Sequence, residues 1–203
     1  MKKILLPTLI LALISTPVFA DFLPPAFSSK FEQEYISTLK GKVKKGLGSI
    51  EYKYPGMIRF ETTTPSTVIF VSNGVKAWYY RAPFIEGEQG EVTESSAKEG
   101  STIYIKFFDS LKYGLTSNEY YEVKQGVPAT LVFKANASKE LGIKESRLHF
   151  KLKSQKFEDI EMIELTFADG KTSKIKFIDL KVNADLSTGR FNFVAPVNTK
   201  KTN

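Results

Sequence analysis

The sequence predicts a mainly β, antiparallel fold of ten or eleven short strands with one helix in mid-chain. Three observations point there. Apolar and polar residues alternate through stretch after stretch, the period of a half-buried strand. Turn signals recur every ~8–12 residues, as in antiparallel sandwiches and barrels. The chain holds 16 Phe and 9 Tyr in 203 residues, and aromatic side chains suit a pleated, half-covered surface.

The first 20 residues stand apart. Lys2 and Lys3 precede an apolar run from Ile4 to Val18, and Val18-Phe19-Ala20 puts small residues at the minus-three and minus-one positions. This layout predicts a signal peptide over residues 1–20 and a single domain over 21–203. No later stretch is long and apolar enough to span a bilayer, so a soluble exported protein is expected. There is no cysteine, which excludes disulfides, thiolate metal sites and a cysteine-linked lipid anchor. Losing Lys2 and Lys3 lowers the formal charge from +7 to +5. The remaining lysines are scattered along what read as solvated strand faces.

Asp21 to Ser29, with Pro24 and Pro25, reads as an irregular lead-in with room for a short helix near Ala26. Alternation starts at Phe31. In Ser49 to Tyr54, Ile50, Tyr52 and Tyr54 share one face and Ser49, Glu51 and Lys53 the other. Pro55-Gly56 turns the chain into Met57 to Thr62, where Ile58 and Phe60 lie opposite Arg59 and Glu61. Val68 to Val71 is continuously apolar and predicts a strand covered on both faces. Asn73-Gly74 signals a hairpin returning through Ala77 to Arg81. Glu86 to Gly100 reads as a long polar loop around a short strand at Val92.

The period then changes. Ile103, Phe107, Phe108, Leu111 and Leu115 recur at spacings of three to four, one face of a helix over Ser101–Leu115, with Ser101 or Thr102 as its cap. Alternation returns at Tyr121, Val123, Ala129–Phe133, Leu148–Leu152 and Ile160–Phe167. Along Lys174 to Val182 it slips phase, which predicts a β-bulge near Phe177. Phe191 and Phe193 end the pattern, and residues 198–203 are expected to be disordered.

Groups for chemistry are scarce. His149 is the only histidine and lies on a lysine-bearing, exposed strand face. No calcium-loop spacing, nucleophile elbow or phosphate-binding glycine loop occurs. The expectation is therefore no enzyme, no cofactor and no metal. Export and scattered charge argue against a nucleic-acid partner. What remains is apolar surface. The inward faces, with Ile50, Tyr52, Ile58, Phe60, Phe70 and Phe133, form either an ordinary core or a cavity, and periodicity does not separate the two.

One stretch favours the cavity. Gly48 to Phe84 carries Gly48, a strand ending in Pro55-Gly56, the pair Arg59-Phe60, then Pro65. The apolar Val68–Val71 follows, then Asn73-Gly74 and Trp78-x-Tyr80. Phe31-x-Gln33 precedes this stretch, and Phe191-x-Phe193-x-x-Pro196 ends the chain's pattern. Together these pieces resemble the LolA-like outer-membrane lipoprotein carrier family over nearly the whole exported chain. The resemblance implies an incomplete antiparallel β-barrel of about 11 strands, with a helical lid over an apolar cavity. It implies a monomeric periplasmic carrier without catalysis or cofactor. Such a carrier takes lipoprotein acyl chains from an inner-membrane lipoprotein-releasing ABC transporter and passes them to an outer-membrane lipoprotein acceptor. On that resemblance the lipid-binding cavity is expected to use Tyr52, Tyr54, Ile58, Phe60 and Phe70 from the sheet. Phe107, Phe108 and Leu111 would come from the lid. Many family members have Arg, which helps hold the lid shut, where this chain has Tyr54. By parity Tyr54 is placed to bond the lid through its hydroxyl, whereas Arg59 points the other way. A lipid-binding sensory protein and a carrier of a different lipid stay open as readings.

Overall fold

A computed structural model describes residues 22–36, 42–100 and 102–202. The signal-peptide expectation for residues 1–20 lies outside the described residues.

Strands β1 (Ala26–Ile36), β2 (Val43–Lys53), β3 (Met57–Thr64), β4 (Val68–Asn73), β5 (Lys76–Arg81) and β6 (Gly90–Ser96) come first. Helix α1 (Ile103–Ser110) follows, then β7 (Tyr121–Lys124), β8 (Ala129–Phe133) and helix α2 (Ala135–Leu141). Strands β9 (Ile143–Phe150), β10 (Ile160–Phe167), β11 (Thr172–Val182) and β12 (Thr199–Thr202) complete the chain. All twelve strands join one sheet in the order β12-β6-β5-β4-β3-β2-β1-β11-β10-β9-β8-β7. Neighbours are antiparallel, except that β12 runs parallel to β6. The edge strands β7 and β12 do not pair with each other, so the barrel is incomplete, as expected.

Register decides which residues face inward. Phe27 pairs with Tyr52, Ile50 with Phe60, and Phe60 with Phe70. On the other half, Ile163 pairs with both Ile175 and Leu148. These residues, with Tyr121 of β7 and Ala77 of β5, join helix α1 in one buried cluster. Strands near both edges therefore share one core with a single short helix, around which the sheet curves.

The convex side carries a second, smaller core. Ile69, Val71, Tyr80 and Val92 are covered there by Leu186 and Phe191, from the chain between β11 and β12. That is how Val68–Val71 comes to be covered on both faces.

Several elements differ from the sequence-based expectation. The chain at Ala26 is strand, not helix: it pairs on both sides, with β2 and β11. The short strand expected at Val92 is the longer β6, Gly90–Ser96. The expected disorder at 198–203 contains β12, making twelve strands, not eleven. Both are poor in apolar residues because little of either is buried. Helix α1 stops at Ser110 and tightens into a 3-10 turn over Leu111–Tyr113, leaving Leu115 outside. Helix α2 has no counterpart in the sequence-based expectation. Phe191 lies in a 3-10 turn rather than a strand. The bulge is real: the β1–β11 register shifts between Ser28/Lys181 and Lys30/Ile178, with Asp179 at φ 55°. That moves Leu180 and Val182 into the phase that packs inward. His149 is half-buried, its Nε2 3.5 Å from Glu164, on the side of β9 opposite the inward-facing Leu148.

Candidate lipid-binding face

Eight residues make α1 about 12 Å long, too short to be stable alone. It exists because the concave face grips it. Phe108 lies 5.0 Å from Phe27 and 5.5 Å from Tyr52, ring centre to ring centre. Phe107 reaches Phe133 at 6.5 Å. Phe60 is stacked between Phe31 at 4.6 Å and Tyr104 of the helix at 4.8 Å. Thr102 caps the helix, its hydroxyl accepting from the Ile105 N–H.

Polar contacts hold both ends of α1. Near its start, Gln33 Nε2 donates to Tyr104 Oη at 2.7 Å. Near its end, the Asp109 carboxylate accepts from the Tyr52 hydroxyl at 2.5 Å and from the Gly56 N–H at 3.1 Å. Burial, and then the neighbouring Asp109 charge, push the Tyr52 phenol far above the usual tyrosine range. Burial likewise raises Tyr104, and it pushes Tyr121 up to about 12. The Tyr121 hydroxyl donates to the Gly114 carbonyl at 2.7 Å, pinning the chain just after the helix.

Seven of the eight residues expected around the cavity meet in one cluster: Tyr52, Ile58, Phe60, Phe70, Phe107, Phe108 and Leu111. All are buried, so in this state the helix itself occupies the concavity. Tyr54 does not join them. It is 40% exposed, one residue past the end of β2 in the Pro-Gly turn. The hydroxyl that bonds the lid is that of Tyr52, one strand repeat earlier. Tyr54 instead lines a cleft of about 700 Å³ beside Phe22, Pro25, Tyr113, Phe157 and Val182. A smaller cleft of about 340 Å³ opens at the other end of β1, around Gln33, Thr62, Tyr104 and Ser173.

Sequence reasoning missed Asp109, Tyr104, Phe27 and Phe31 as members of this face. Asp109 had one signal: it lies four residues after the buried Ile105, so both fall on one side of the helix. Among the described residues no group of three His, Asp or Glu side chains is placed to hold a metal ion.

Residues 25–194 match the family model described as outer membrane lipoprotein carrier protein LolA. The chain belongs to the LolA family. An outer-membrane lipoprotein carrier protein of Pseudoalteromonas translucida is 26% identical, over 97% of this chain and 94% of its own length. One from Francisella tularensis is 24% identical over 86% and 80%. A solved LolA superfamily protein of Nitrosomonas europaea superposes with a TM-score of 0.49 and 13% identity, covering 86% of this chain and 94% of its own. Within the LolA family this chain is a member with tyrosine at position 54 and the Tyr52–Asp109 pair behind it.

Proposed function

We propose that this protein carries lipoprotein acyl chains through the periplasm, sheltering them on the concave face of its open sheet. One observation carries the reading: the apolar face of a short helix fills a concavity that the strands do not close. Helix α1 occupies the space a guest chain needs and is the element that moves aside. A barrel closed by strand pairing would have no comparable movable part. Membership of the LolA family supports the same reading, as do the names of its relatives. Residues 1–20 act as the export signal and residues 21–203 as one carrier domain. The protein works as a monomer, receives its cargo from an inner-membrane ABC transporter and delivers it to an acceptor at the outer membrane.

The energetics suit a carrier rather than a sink. Each methylene taken from water is worth ~0.8 kcal/mol, so a long acyl chain does not cross water unshielded. Binding must first displace the packed rings of α1, and that cost offsets part of the gain. The net affinity stays low enough for release.

The test is native mass spectrometry of the protein purified from its own periplasm while the outer-membrane acceptor is depleted. A bound acylated lipoprotein is expected. Recovery of only the bare chain, together with failure to bind a synthetic triacylated lipopeptide, would overturn the reading.

A further inference from the structure

The concave face is apolar along most of its length but carries polar side chains at each end of α1, and the end at Gln33 opens into the smaller cleft. There Gln33 of β1 is 8% exposed and Ser173 of β11 is 2% exposed. Gln33 Nε2 uses both its hydrogens, donating to Tyr104 Oη at 2.7 Å and to Ser173 Oγ at 3.0 Å. All three side chains line the 340 Å³ cleft, together with Thr62 and Thr64. Gly46, which pairs with Gln33 across β1 and β2, also lines it without a side chain.

A buried amide at this position costs stability unless its hydrogens have acceptors. One acceptor, Ser173, belongs to the sheet. The other, Tyr104, belongs to α1 and leaves with it. When the lid moves, a Gln33 N–H loses its partner inside this cleft. A bare hydrocarbon offers no acceptor. The head of a biological acyl chain does: its ester or amide carbonyl oxygen.

We propose that Gln33, with Ser173 behind it, is a carbonyl-recognition site that takes the ester or amide head of an acyl chain in place of Tyr104 Oη. This rests on the carrier reading and adds a polarity to it. The head sits in the Gln33 cleft and the tail runs along β1 towards Phe27. The stretch from Gln33 to Phe27 is six residues of strand, roughly 20 Å. Half the ~30 Å hydrocarbon core of a bilayer, filled by one layer of tails, is about 15 Å, so the stripe is long enough for one tail. Lys171 at the rim is paired with Asp169 at 2.5 Å. Lid and cargo thus compete for the same donor.

The test compares the full chain with its Gln33→Met and Tyr104→Phe variants against three probes. These are a synthetic triacylated lipopeptide, a short-chain phosphatidylglycerol and the carbonyl-free dye N-phenyl-1-naphthylamine. Gln33→Met is expected to weaken a carbonyl-bearing probe about tenfold, the worth of one hydrogen bond, and to leave the dye nearly unchanged. Weakening of the lipopeptide alone assigns the site to lipoprotein, and of phosphatidylglycerol alone to phospholipid. Equal weakening of both assigns it to the shared ester. Tyr104→Phe, which removes the competing acceptor, is expected to tighten the carbonyl-bearing probes. Equal loss of all three probes in Gln33→Met, or no loss, overturns the inference. If Gln33→Met does not fold, Tyr104→Phe decides alone, and no gain in affinity overturns it. A wild-type chain that binds the dye but neither carbonyl-bearing probe overturns this inference and spares the sheltering face. One that binds none of the three removes the carrier reading as well.

Discussion

At the scale of single residues, the Tyr52–Asp109 pair is the contact that ties the end of α1 to the sheet. The carboxylate is the shared acceptor for a buried phenol and a turn N–H. Replacing Asp109 by Ala leaves the Tyr52 hydroxyl buried without a partner, which costs about 1–3 kcal/mol. Tyr52→Phe removes the orphan along with the bond and is expected to cost less. Chemical denaturation of both variants checks this ordering, and Asp109→Ala should also speed amide exchange in α1. Two variants as stable as the unsubstituted chain would mean that the pair contributes nothing.

The buried phenols set a pH limit. Tyr52, Tyr104 and Tyr121 are all shifted upward, so the folded state prefers them neutral. In the unfolded chain they ionise near the ordinary value of about 10. Each contribution is therefore complete below pH ~10 and declines above it; that of Tyr121 is lost by about pH 12, where it ionises in the folded state. Tyrosinate absorbance followed alongside circular dichroism should show exposed tyrosines ionising first and these three only with cooperative unfolding. Ionisation of all the tyrosines with the fold intact would contradict it.

At the scale of elements, close packing on β2 and the segment after β11 make separate demands. A Cβ at Gly48 would lie 2.1 Å from the Glu61 carbonyl oxygen and 2.5 Å from the Phe31 ring. Gly48→Ala is expected to cost at least the ~1–3 kcal/mol of ordinary overpacking, because one obstacle is backbone in the neighbouring strand. Phe191, fully buried on the convex side, is expected to cost about 3–5 kcal/mol on truncation to Ala. That loss should leave dye binding intact below the melting temperature, because Phe191 belongs to the smaller cluster and not to the concave one. Thermal melts read beside dye titration separate the two effects.

At the scale of the whole molecule, the concave face works as one surface. Phe60 sits near its centre, stacked between Phe31 and the lid's Tyr104. A carboxylate there is incompatible with the closed packing and with a hydrocarbon guest. Phe60→Glu is expected to keep its strand content by far-ultraviolet circular dichroism and to lose retention of a triacylated lipopeptide. Normal retention would place the guest elsewhere.

The amino-acid sequence by itself determined the parity of each strand, because side chains alternate strictly and Ile50, Tyr52, Ile58 and Phe60 must then share faces. It determined the helical stripe of Phe107, Phe108 and Leu111 by the change of period, and the bulge in β11 by the slip of phase. These are local properties, readable from neighbours a few positions apart. Tertiary structure alone decided that Tyr52 meets Asp109 57 residues away, that Gln33 meets Ser173 140 residues away, and that β12 joins β6. Such pairings depend on strand order and register across the whole sheet. A polar side chain in an alternating run looks the same whether it faces solvent or a buried partner, and a four-residue edge strand has too little apolar area to announce itself.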